Sequence, residues 1–317
     1  MESAPGLKEI EEARDRIRGF VHRTPILTCK SIDEMIGASL FFKCENFQKA
    51  GAFKIRGACN AVFSLPEEEA LRGVATHSSG NHAAALALAA RWRGVPAYVV
   101  MPENAPQVKK TAVAGYGANI FFCKPSLEAR EETLARVVGS TGAAFVHPYN
   151  DARVIAGQGT AGLELCEDAP ELDVVVAPVG GGGLLSGTSI AVSAVSPRTI
   201  VIGAEPEQAD DAYRSLRAGR IVPAGNPQTI ADGLRTSLGD LTFTVIRKHV
   251  REILTVNETG ITETMRMVWE RMKIIIEPSA AVPLAVLLTK GIDLSGKRVG
   301  LIFSGGNLDL DRLPWQK

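Results

Sequence analysis

The sequence contains no stretch of about 20 apolar residues free of charge, the length that a helix needs to cross a bilayer. Its first ten residues include Glu2, Lys8 and Glu9, so they lack the continuous apolar segment of a secretory signal peptide. Cys-x-x-Cys is also absent, and the five cysteines are scattered, as in proteins whose thiols stay reduced. We therefore expect a cytoplasmic protein without a membrane span.

An excess of charge of either sign is missing too. The 35 lysines and arginines balance 35 aspartates and glutamates, so the formal net charge is 0. This balance does not support a partner such as nucleic acid or an anionic membrane. With 45% hydrophobic and 22% charged residues, the composition is that of a soluble globular protein. The length of 317 residues is enough for two domains.

Short β-branched segments alternate with segments rich in alanine and leucine, which predicts βαβ units and an α/β fold with parallel sheets. Strands are expected at residues 40–43, 73–78, 96–101, 118–123, 143–146, 174–179, 199–203, 252–255 and 297–303. Helices are expected at residues 55–65, 82–92, 107–116, 126–139, 159–166, 184–194, 261–272 and 280–290. We predict a small inserted domain at 70–147 and a large domain formed by 1–69 and 148–317. Each is expected to be an open, mostly parallel sheet flanked by helices.

Four consecutive glycines, Gly180 to Gly183, directly follow the predicted strand 174–179. Such a run loses much backbone entropy on folding, so it indicates a place where bare backbone is needed, unless it is simply a flexible loop. At the end of a strand and the start of a helix, free amides and the helix dipole favour an anion. The run lacks the lysine of an NTPase loop and the acidic ribose partner of a dinucleotide site. We therefore predict a small phosphorylated ligand.

Polar residues follow two further predicted strands. Residues 76–82 read Thr-His-Ser-Ser-Gly-Asn-His, and small hydroxyls and amides at a helix start can bind a carboxylate. Ordinary helix capping by Ser78 or Ser79 is the alternative. Ser304-Gly-Gly-Asn307 follows the last strand and offers a hydroxyl and an amide, or forms a plain turn.

Lys54 lies between Phe53 and the predicted helix 55–65. Most lysines are solvated surface groups. Beside an apolar, phosphate-binding crevice, however, desolvation lowers the pKa of a lysine, and a neutral amine forms a Schiff base with an aldehyde.

Four motifs occur in the order Phe53-Lys54-Ile-Arg-Gly57, Ser78-Ser79-Gly80-Asn81-His82, Gly180 to Gly183 with Leu184, and Ser304-Gly-Gly-Asn307. In this combination the chain resembles the fold-type II pyridoxal-phosphate enzymes, in the branch of serine racemases and threonine, serine and hydroxyaspartate dehydratases. The resemblance covers nearly the whole chain. It includes residues 156–160, 205–211, 230–233, 269–273 and 276–279. It implies the two-domain fold of that group.

The resemblance also implies a role for each residue around the cofactor, pyridoxal 5′-phosphate. Lys54 would hold the cofactor as an imine and remove the α-proton of the substrate. Phe53 would pack on the ring, Asn81 would hydrogen-bond its 3-oxygen, and Ser304 would face the pyridine nitrogen. The phosphate would be bound by Gly180, Gly181, Gly182, Gly183 and Leu184.

On the substrate side, the residues implied to bind the α-carboxylate are Ser78, Ser79, Asn81 and His82. Ser79 would also face the substrate from the side opposite Lys54, where racemases of the branch move a proton. Arg130 would face the substrate side chain and pair with a second carboxylate, assisted by Ser237. A surface arginine on a helix is the alternative for Arg130.

A neutral hydroxyl at the pyridine nitrogen makes the ring a weaker electron sink than an aspartate would, which favours prompt loss of a β-leaving group. The implied activity is dehydration of serine, threonine or 3-hydroxyaspartate to a 2-oxo acid and ammonia. The segment His147-Pro-Tyr-Asn-Asp151 looks more like the dehydratases than the racemases. Racemisation of serine or aspartate is the alternative. From other classes, a nicotinamide-dependent dehydrogenase and a non-catalytic pyridoxal-phosphate-binding protein stay open.

Glu205, the Ala209 carbonyl and Asp211 resemble the divalent-cation site of this branch. Such oxygen ligands suit Mg²⁺, Ca²⁺ or Mn²⁺, although two acids at this spacing are otherwise typical of a solvated loop. The resemblance also implies a homodimer that acts on a small amino acid. Some members bind ATP, and here Lys49 and Asn307 would lie near such an interface.

Overall fold

The computed structural model describes residues 3–78, 80–105, 107–289 and 291–316, with Val108 described by its backbone. The strands are β1 Ile26–Leu27, β2 Ser39–Cys44, β3 Val74–His77, β4 Ala97–Pro102, β5 Asn119–Cys123, β6 Ala144–Phe145, β7 Val174–Pro178, β8 Ile200–Pro206, β9 Glu252–Val256 and β10 Arg298–Phe303. The helices are α1 Leu7–Ile17, α2 Lys30–Ile36, α3 Lys54–Phe63, α4 Glu67–Ala70, α5 Asn81–Arg93, α6 Gln107–Gly115, α7 Leu127–Thr141, α8 Ala152–Asp168, α9 Gly183–Val195, α10 Asp211–Ala218, α11 Asp240–His249, α12 Glu258–Met272 and α13 Pro278–Thr289.

A six-stranded sheet has the order β1-β2-β10-β7-β8-β9. Its pairs are parallel except for the antiparallel pair of β1 and β2. Successive residues of β7 point to opposite faces, and Val175 and Val176 belong to two different buried clusters. Both faces of the sheet are therefore covered, which explains why its central strands read as continuous apolar segments.

A four-stranded sheet has the order β5-β4-β3-β6, and all its pairs are parallel. Its strands lie between Val74 and Phe145 in the chain, and the strands of the larger sheet come before or after them. The predicted α/β fold class is confirmed. The domain boundaries at 69/70 and 147/148 stay a prediction. None of the described helices has the length and apolar character that crossing a membrane requires.

Helix α8 begins earlier than the sequence indicates, at Ala152 rather than at residue 159. Asp151 caps this start because its side chain accepts hydrogen bonds from the amides of Arg153 and Val154. Glycines weaken the helical pattern here, but they allow α8 to pack closely: a Cβ on Gly157 would lie 2.6 Å from the Arg56 carbonyl oxygen. Elements that the sequence analysis did not predict are β1, α1, α2, α4, α10 and α11.

Candidate active site

The candidate site lies where neighbouring parallel strands end. β10 ends just before Ser304, and β7 ends two residues before Gly180. Because β7 and β10 are paired, their carboxyl ends share one edge of the sheet, where open α/β sheets bind ligands. The start of α3 is tied to this edge, since the Phe53 amide donates to the Ser304 carbonyl oxygen at 3.0 Å.

Lys54 is the first residue of α3 and is partly buried. Its Nζ donates to the Pro148 carbonyl oxygen at 2.8 Å and lies 5.1 Å from the centre of the Phe53 ring. Burial lowers the pKa of this amine to about 8, against the opposing effect of the Glu277 carboxylate. A sizeable fraction of the amine is therefore neutral near pH 8, the state in which an amine adds to an aldehyde.

The tetraglycine segment passes between its neighbours without room for side chains. A Cβ on Gly180 would lie 2.8 Å from the Leu234 Cα, and one on Gly181 would lie 2.3 Å from the Tyr149 ring. Gly182 has a φ of +88°, which favours glycine. The amides of residues 180–183 donate no hydrogen bond to any other described residue, so they stay available at the start of α9. Leu184 is buried in the first turn of that helix.

Ser304 is buried directly after β10. Its backbone carbonyl accepts the Phe53 amide. Across the described part of the chain, no hydrogen bond to its hydroxyl is found, so the hydroxyl is available to a ring nitrogen. This neutral group is the partner that the resemblance assigns to the pyridine nitrogen.

Glu277, which lies in the segment 276–279 of the resemblance but was assigned no role from the sequence, joins two polar corners of the site. Asn81 Nδ2 donates to its two carboxylate oxygens at 3.0 and 3.1 Å, and the Asn307 amide donates to it at 3.2 Å. Asn307 Nδ2 also donates to Asn81 Oδ1 at 3.0 Å. Burial raises the pKa of Glu277 to about 7, and the Asp232 charge adds to this effect. The amide predicted to bind a ring oxygen is thus already engaged with a buried acid.

The remaining residues predicted for the α-carboxylate lie at the start of α5. The Gly80 amide donates to Ser78 Oγ at 3.3 Å. His82 is buried, with Nε2 3.4 Å from the Val146 carbonyl oxygen, while its Nδ1 has no partner within the described ranges. Burial, aided by the Lys54 charge, holds the pKa of His82 well below its usual value. Ser79 lies outside the described residues.

Arg130 lies on α7, and its Nε is buried without a hydrogen-bond partner in the part of the chain that the structure describes. Burial lowers the pKa of His77, at the end of β3, and the charge of Arg130 acts in the same direction. An unpartnered buried guanidinium nitrogen fits a ligand anion better than a solvated surface position. Ser237 Oγ accepts the Ala224 amide at 2.9 Å, so the Ser237 hydroxyl is partly committed to its own loop.

Residues 147–150 connect Lys54 with the glycine segment. The Pro148 carbonyl accepts the Lys54 amine, and the Tyr149 ring covers Gly181. Asn150 Oδ1 accepts the Leu241 and Thr242 amides at 3.0 and 3.4 Å, and Thr242 Oγ1 donates to the Gly181 carbonyl at 2.9 Å. The sequence analysis noted this segment as a departure from the racemases but assigned it no contacts.

The predicted cation ligands lie between the end of β8, which contains Glu205, and the start of α10, which begins at Asp211. Glu205 and Asp211 are both fully buried, and neither carboxylate oxygen of Asp211 has a hydrogen-bond partner among the residues described. Burial raises the pKa of Asp211 to about 7 and raises that of Glu205 as well. In the described ranges no three His, Cys, Asp or Glu side chains cluster as metal ligands. A cation held here would therefore also need ligands such as the Ala209 carbonyl and water, as hard cations accept.

A buried cluster of charged side chains holds helix α3 in place. Arg56 is fully buried; its Nε donates to Glu45 at 2.7 Å, and its terminal nitrogens donate to Glu164 at 2.8 Å. Lys43, also fully buried, lies 2.7 Å from Glu164. Removing one member would leave a buried charge unpaired, which costs about 3–5 kcal/mol. Lys54 therefore starts a rigidly held helix.

Residues 17–305 match the protein family described as pyridoxal-phosphate dependent enzyme. The chain belongs to this family. It is 54% identical over 311 residues to a beta-hydroxyaspartate dehydratase of Paracoccus denitrificans, covering 98% of this chain and 99% of that protein. It is 51% identical over 313 residues to a serine racemase of Dictyostelium discoideum, covering 97% of this chain and 96% of that protein.

The structure of maize serine racemase matches the fold with a TM-score of 0.95 at 48% identity, covering 97% of this chain and 95% of that chain. The predicted recognition of the fold-type II group is therefore confirmed, and the chain is a pyridoxal-phosphate-dependent enzyme.

The residues present fit this cofactor. Four consecutive glycines whose amides find no partner in the described structure suit its phosphate. An amine with a pKa of about 8 suits its aldehyde. The Ser304 hydroxyl suits its ring nitrogen, and Phe53 lies beside the amine to pack on the ring. These individual roles stay predictions.

Proposed function

We propose that the protein is a pyridoxal-phosphate-dependent dehydratase, or ammonia-lyase, of β-hydroxy amino acids. It converts serine, threonine or 3-hydroxyaspartate to a 2-oxo acid and ammonia, and 3-hydroxyaspartate is the substrate that the site favours. The observation on which this rests is the partly buried Lys54 amine, held 2.8 Å from the Pro148 carbonyl at the sheet edge that the glycine segment borders.

When bound, pyridoxal phosphate withdraws electrons from the α-carbon of an amino acid and so makes its α-proton removable. Lys54 is the base for this proton, because burial has lowered the pKa of its amine to about 8. The Pro148 carbonyl orients the amine, which lies 5.1 Å from the centre of the Phe53 ring. Ser304, a neutral hydroxyl, would face the ring nitrogen without holding a proton on it, which favours prompt loss of the β-hydroxyl.

The second carboxylate of 3-hydroxyaspartate has a candidate partner in Arg130. Its buried Nε has no acceptor among the described residues, and a carboxylate would supply one in a bidentate, charge-assisted pair. Serine and threonine carry no such group. The similarity to a beta-hydroxyaspartate dehydratase, at 54% identity, supports the same choice.

The proposal is tested by measuring 2-oxo acid and ammonia release by the purified enzyme from D- and L-serine, D- and L-threonine and each isomer of 3-hydroxyaspartate. We expect equal amounts of ammonia and 2-oxo acid, with the highest kcat/KM for an isomer of 3-hydroxyaspartate. Absence of 2-oxo acid from every substrate would contradict the dehydratase. A higher kcat/KM for serine would contradict the choice of the dicarboxylate.

Racemisation of serine or aspartate is the second candidate. It is supported by the 51% identity to a serine racemase and by a serine at position 79, in the motif beside Asn81. The same reactions, analysed by chiral chromatography, test it. Appearance of the opposite enantiomer at a rate comparable to 2-oxo acid release would favour a racemase.

We also propose that Glu205, Asp211 and the Ala209 carbonyl hold a structural divalent cation, since the orphaned, buried Asp211 oxygens call for a positive partner. A homodimer, and ATP as a ligand near Lys49 and Asn307, rest on the resemblance alone. The sedimentation coefficient of the protein tests the homodimer. The amount of ATP that sediments with the protein tests nucleotide binding.

A further inference from the structure

His147 follows β6 and makes two hydrogen bonds to the turn after it. Its Nδ1 accepts the Tyr149 amide at 3.3 Å and the Asn150 amide at 2.9 Å. An imidazole nitrogen that accepts two N–H groups carries no proton of its own, so the ring proton of the neutral form lies on Nε2. The backbone of the turn thereby selects the tautomer.

The Nε2–H is a donor without a partner. It makes no hydrogen bond to another described residue, and His147 is only partly buried. The ring meets His77 edge-on at 6.2 Å and Tyr149 edge-on at 4.5 Å, with Phe145 at 5.7 Å. These three rings restrict its rotation, so the donor is held in one orientation.

His147 is next in the chain to a residue that contacts the proposed base, Lys54. The carbonyl of the next residue, Pro148, holds the Lys54 amine at 2.8 Å. The ring of His77 lies 6.2 Å from that of His147, and the charge of Arg130 acts on His77. His147 is thus next in the chain to the carbonyl that holds the Lys54 amine, and its ring contacts a residue influenced by the arginine proposed for the distal carboxylate. In 3-hydroxyaspartate the carbon that carries the β-hydroxyl lies between the α-carbon and that carboxylate.

The charge state of His147 decides which kind of donor it is. Burial lowers its pKa to about 4, the charges of His77 and Lys54 act in the same direction, and Asp151 opposes them. At neutral pH the ring is uncharged, so it donates a hydrogen bond without transferring a proton.

We propose that the Nε2–H of His147 donates a hydrogen bond to the β-hydroxyl of the substrate, which makes His147 a specificity-determining residue. This role rests on the proposed dehydratase function. Two residues then recognise the side chain of 3-hydroxyaspartate. Arg130 binds its second carboxylate, and His147 donates a hydrogen bond to its β-hydroxyl. A site that hydrogen-bonds a substrate hydroxyl discriminates against analogues that lack it, because the donor then stays unpaired in the occupied site.

Two substitutions separate the donor of His147 from its structural acceptor. In His147→Asn, the side-chain oxygen can replace Nδ1 as acceptor for the two amides, but the Nε2–H is lost. In His147→Gln, the side-chain nitrogen can replace Nε2 as donor, but the acceptor near Nδ1 is lost. The first variant should keep the melting temperature of the wild type, and the second should melt a few degrees lower.

The deciding measurement is calorimetric binding of malate, each enantiomer separately, and of succinate to the pyridoxal-phosphate-loaded enzyme. Malate carries the two carboxylates and the hydroxyl of hydroxyaspartate without its amine, and succinate also lacks the hydroxyl. We expect the wild type and His147→Gln to prefer one malate enantiomer over succinate by about threefold to tenfold. His147→Asn should bind the two acids equally.

A malate preference retained by His147→Asn, or absent from the wild type, would overturn the inference. Because neither acid reacts, these outcomes are independent of turnover. Failure of the dehydratase proposal would instead appear as the absence of 2-oxo acid from every substrate.

Discussion

The amine of Lys54 lies 2.8 Å from the carbonyl oxygen of Pro148, although the two residues are 94 positions apart in the chain. This contact joins the start of α3 to the segment that also covers Gly181 with the Tyr149 ring. Lys54 and the glycine segment are thus positioned by one short turn. We therefore expect changes in the turn or in the glycine segment to alter the pKa of the amine.

Lys54 should capture the cofactor faster as pH rises through about 8, since burial lowers its pKa to that value and only the neutral amine adds to an aldehyde. Glu277→Gln should move the midpoint to lower pH, because the Glu277 carboxylate raises the pKa of Lys54 and the substitution removes its charge. The rate of change of cofactor absorbance after mixing with cofactor-free protein measures this. Glu252→Gln, on the exposed edge of β9, is the control and should leave the midpoint unchanged. A midpoint in Glu277→Gln at or above that of the wild type would refute the coupling.

Gly181→Ala should weaken cofactor binding by at least about tenfold. The added Cβ would lie 2.3 Å from the Tyr149 ring, so either the ring or the phosphate-binding backbone has to move. Equilibrium titration with pyridoxal phosphate measures the affinity. In Gly139→Ala, the matched control on α7, the Cβ meets nothing within 4 Å, so this variant should bind normally and be slightly more stable. Equal affinity of Gly181→Ala and the wild type would show that the ring moves freely.

Magnesium or calcium should raise the melting temperature of the wild type by a few degrees, because a ligand of the folded state alone stabilises it. Asp211→Asn should lose most of this shift, since it removes the charge of the two unpartnered buried oxygens. Asp210→Asn is the control. It removes a carboxylate that pairs with Arg214 at 2.7 Å, so this variant should keep the shift in melting temperature. An equal shift in both variants, or none in the wild type, would remove the cation from this position.

Arg130→Ala should lower kcat/KM for 3-hydroxyaspartate by about tenfold to a hundredfold and change that for serine much less, because only the former carries a second carboxylate. Steady-state rates of 2-oxo acid release measure both. Arg136→Ala is the control on the same helix: its guanidinium is exposed and donates to Thr133 at 3.2 Å. Equal losses for the two substrates would mean that Arg130 acts on the fold and not on the distal carboxylate.

Sequence reasoning found the parts of the site whose residue types are unusual in their setting. Four glycines at a strand end, a lysine beside Phe53 and a polar segment after β10 each indicate a special backbone or chemical requirement. The alternation of strands and helices likewise predicted the parallel sheets. The antiparallel β1 could not be found in this way, because it is only two residues long.

Contacts between distant, ordinary residues could not be predicted. Glu277 meets Asn81 across 196 positions, and an isolated glutamate gives no sign of being buried. The Pro148 carbonyl is a backbone atom, which no residue pattern identifies. The tautomer of His147 depends on the local path of the chain after β6. Glu277, the Pro148 carbonyl and His147 affect the charge state and orientation of the groups proposed to react. The sequence motifs show only where those groups lie.

The central claim is that a neutral Lys54 amine removes the α-proton of a β-hydroxy amino acid. It is tested most directly by oxaloacetate release from 3-hydroxyaspartate, followed as its hydrazone, for the wild type and for Lys54→Ala at equal concentration. Lys30→Ala, whose side chain is 91% exposed, is the control. We expect the wild type and the control to release oxaloacetate at the same rate, and Lys54→Ala to be at least about a hundredfold slower. Release by Lys54→Ala at the wild-type rate would contradict the account.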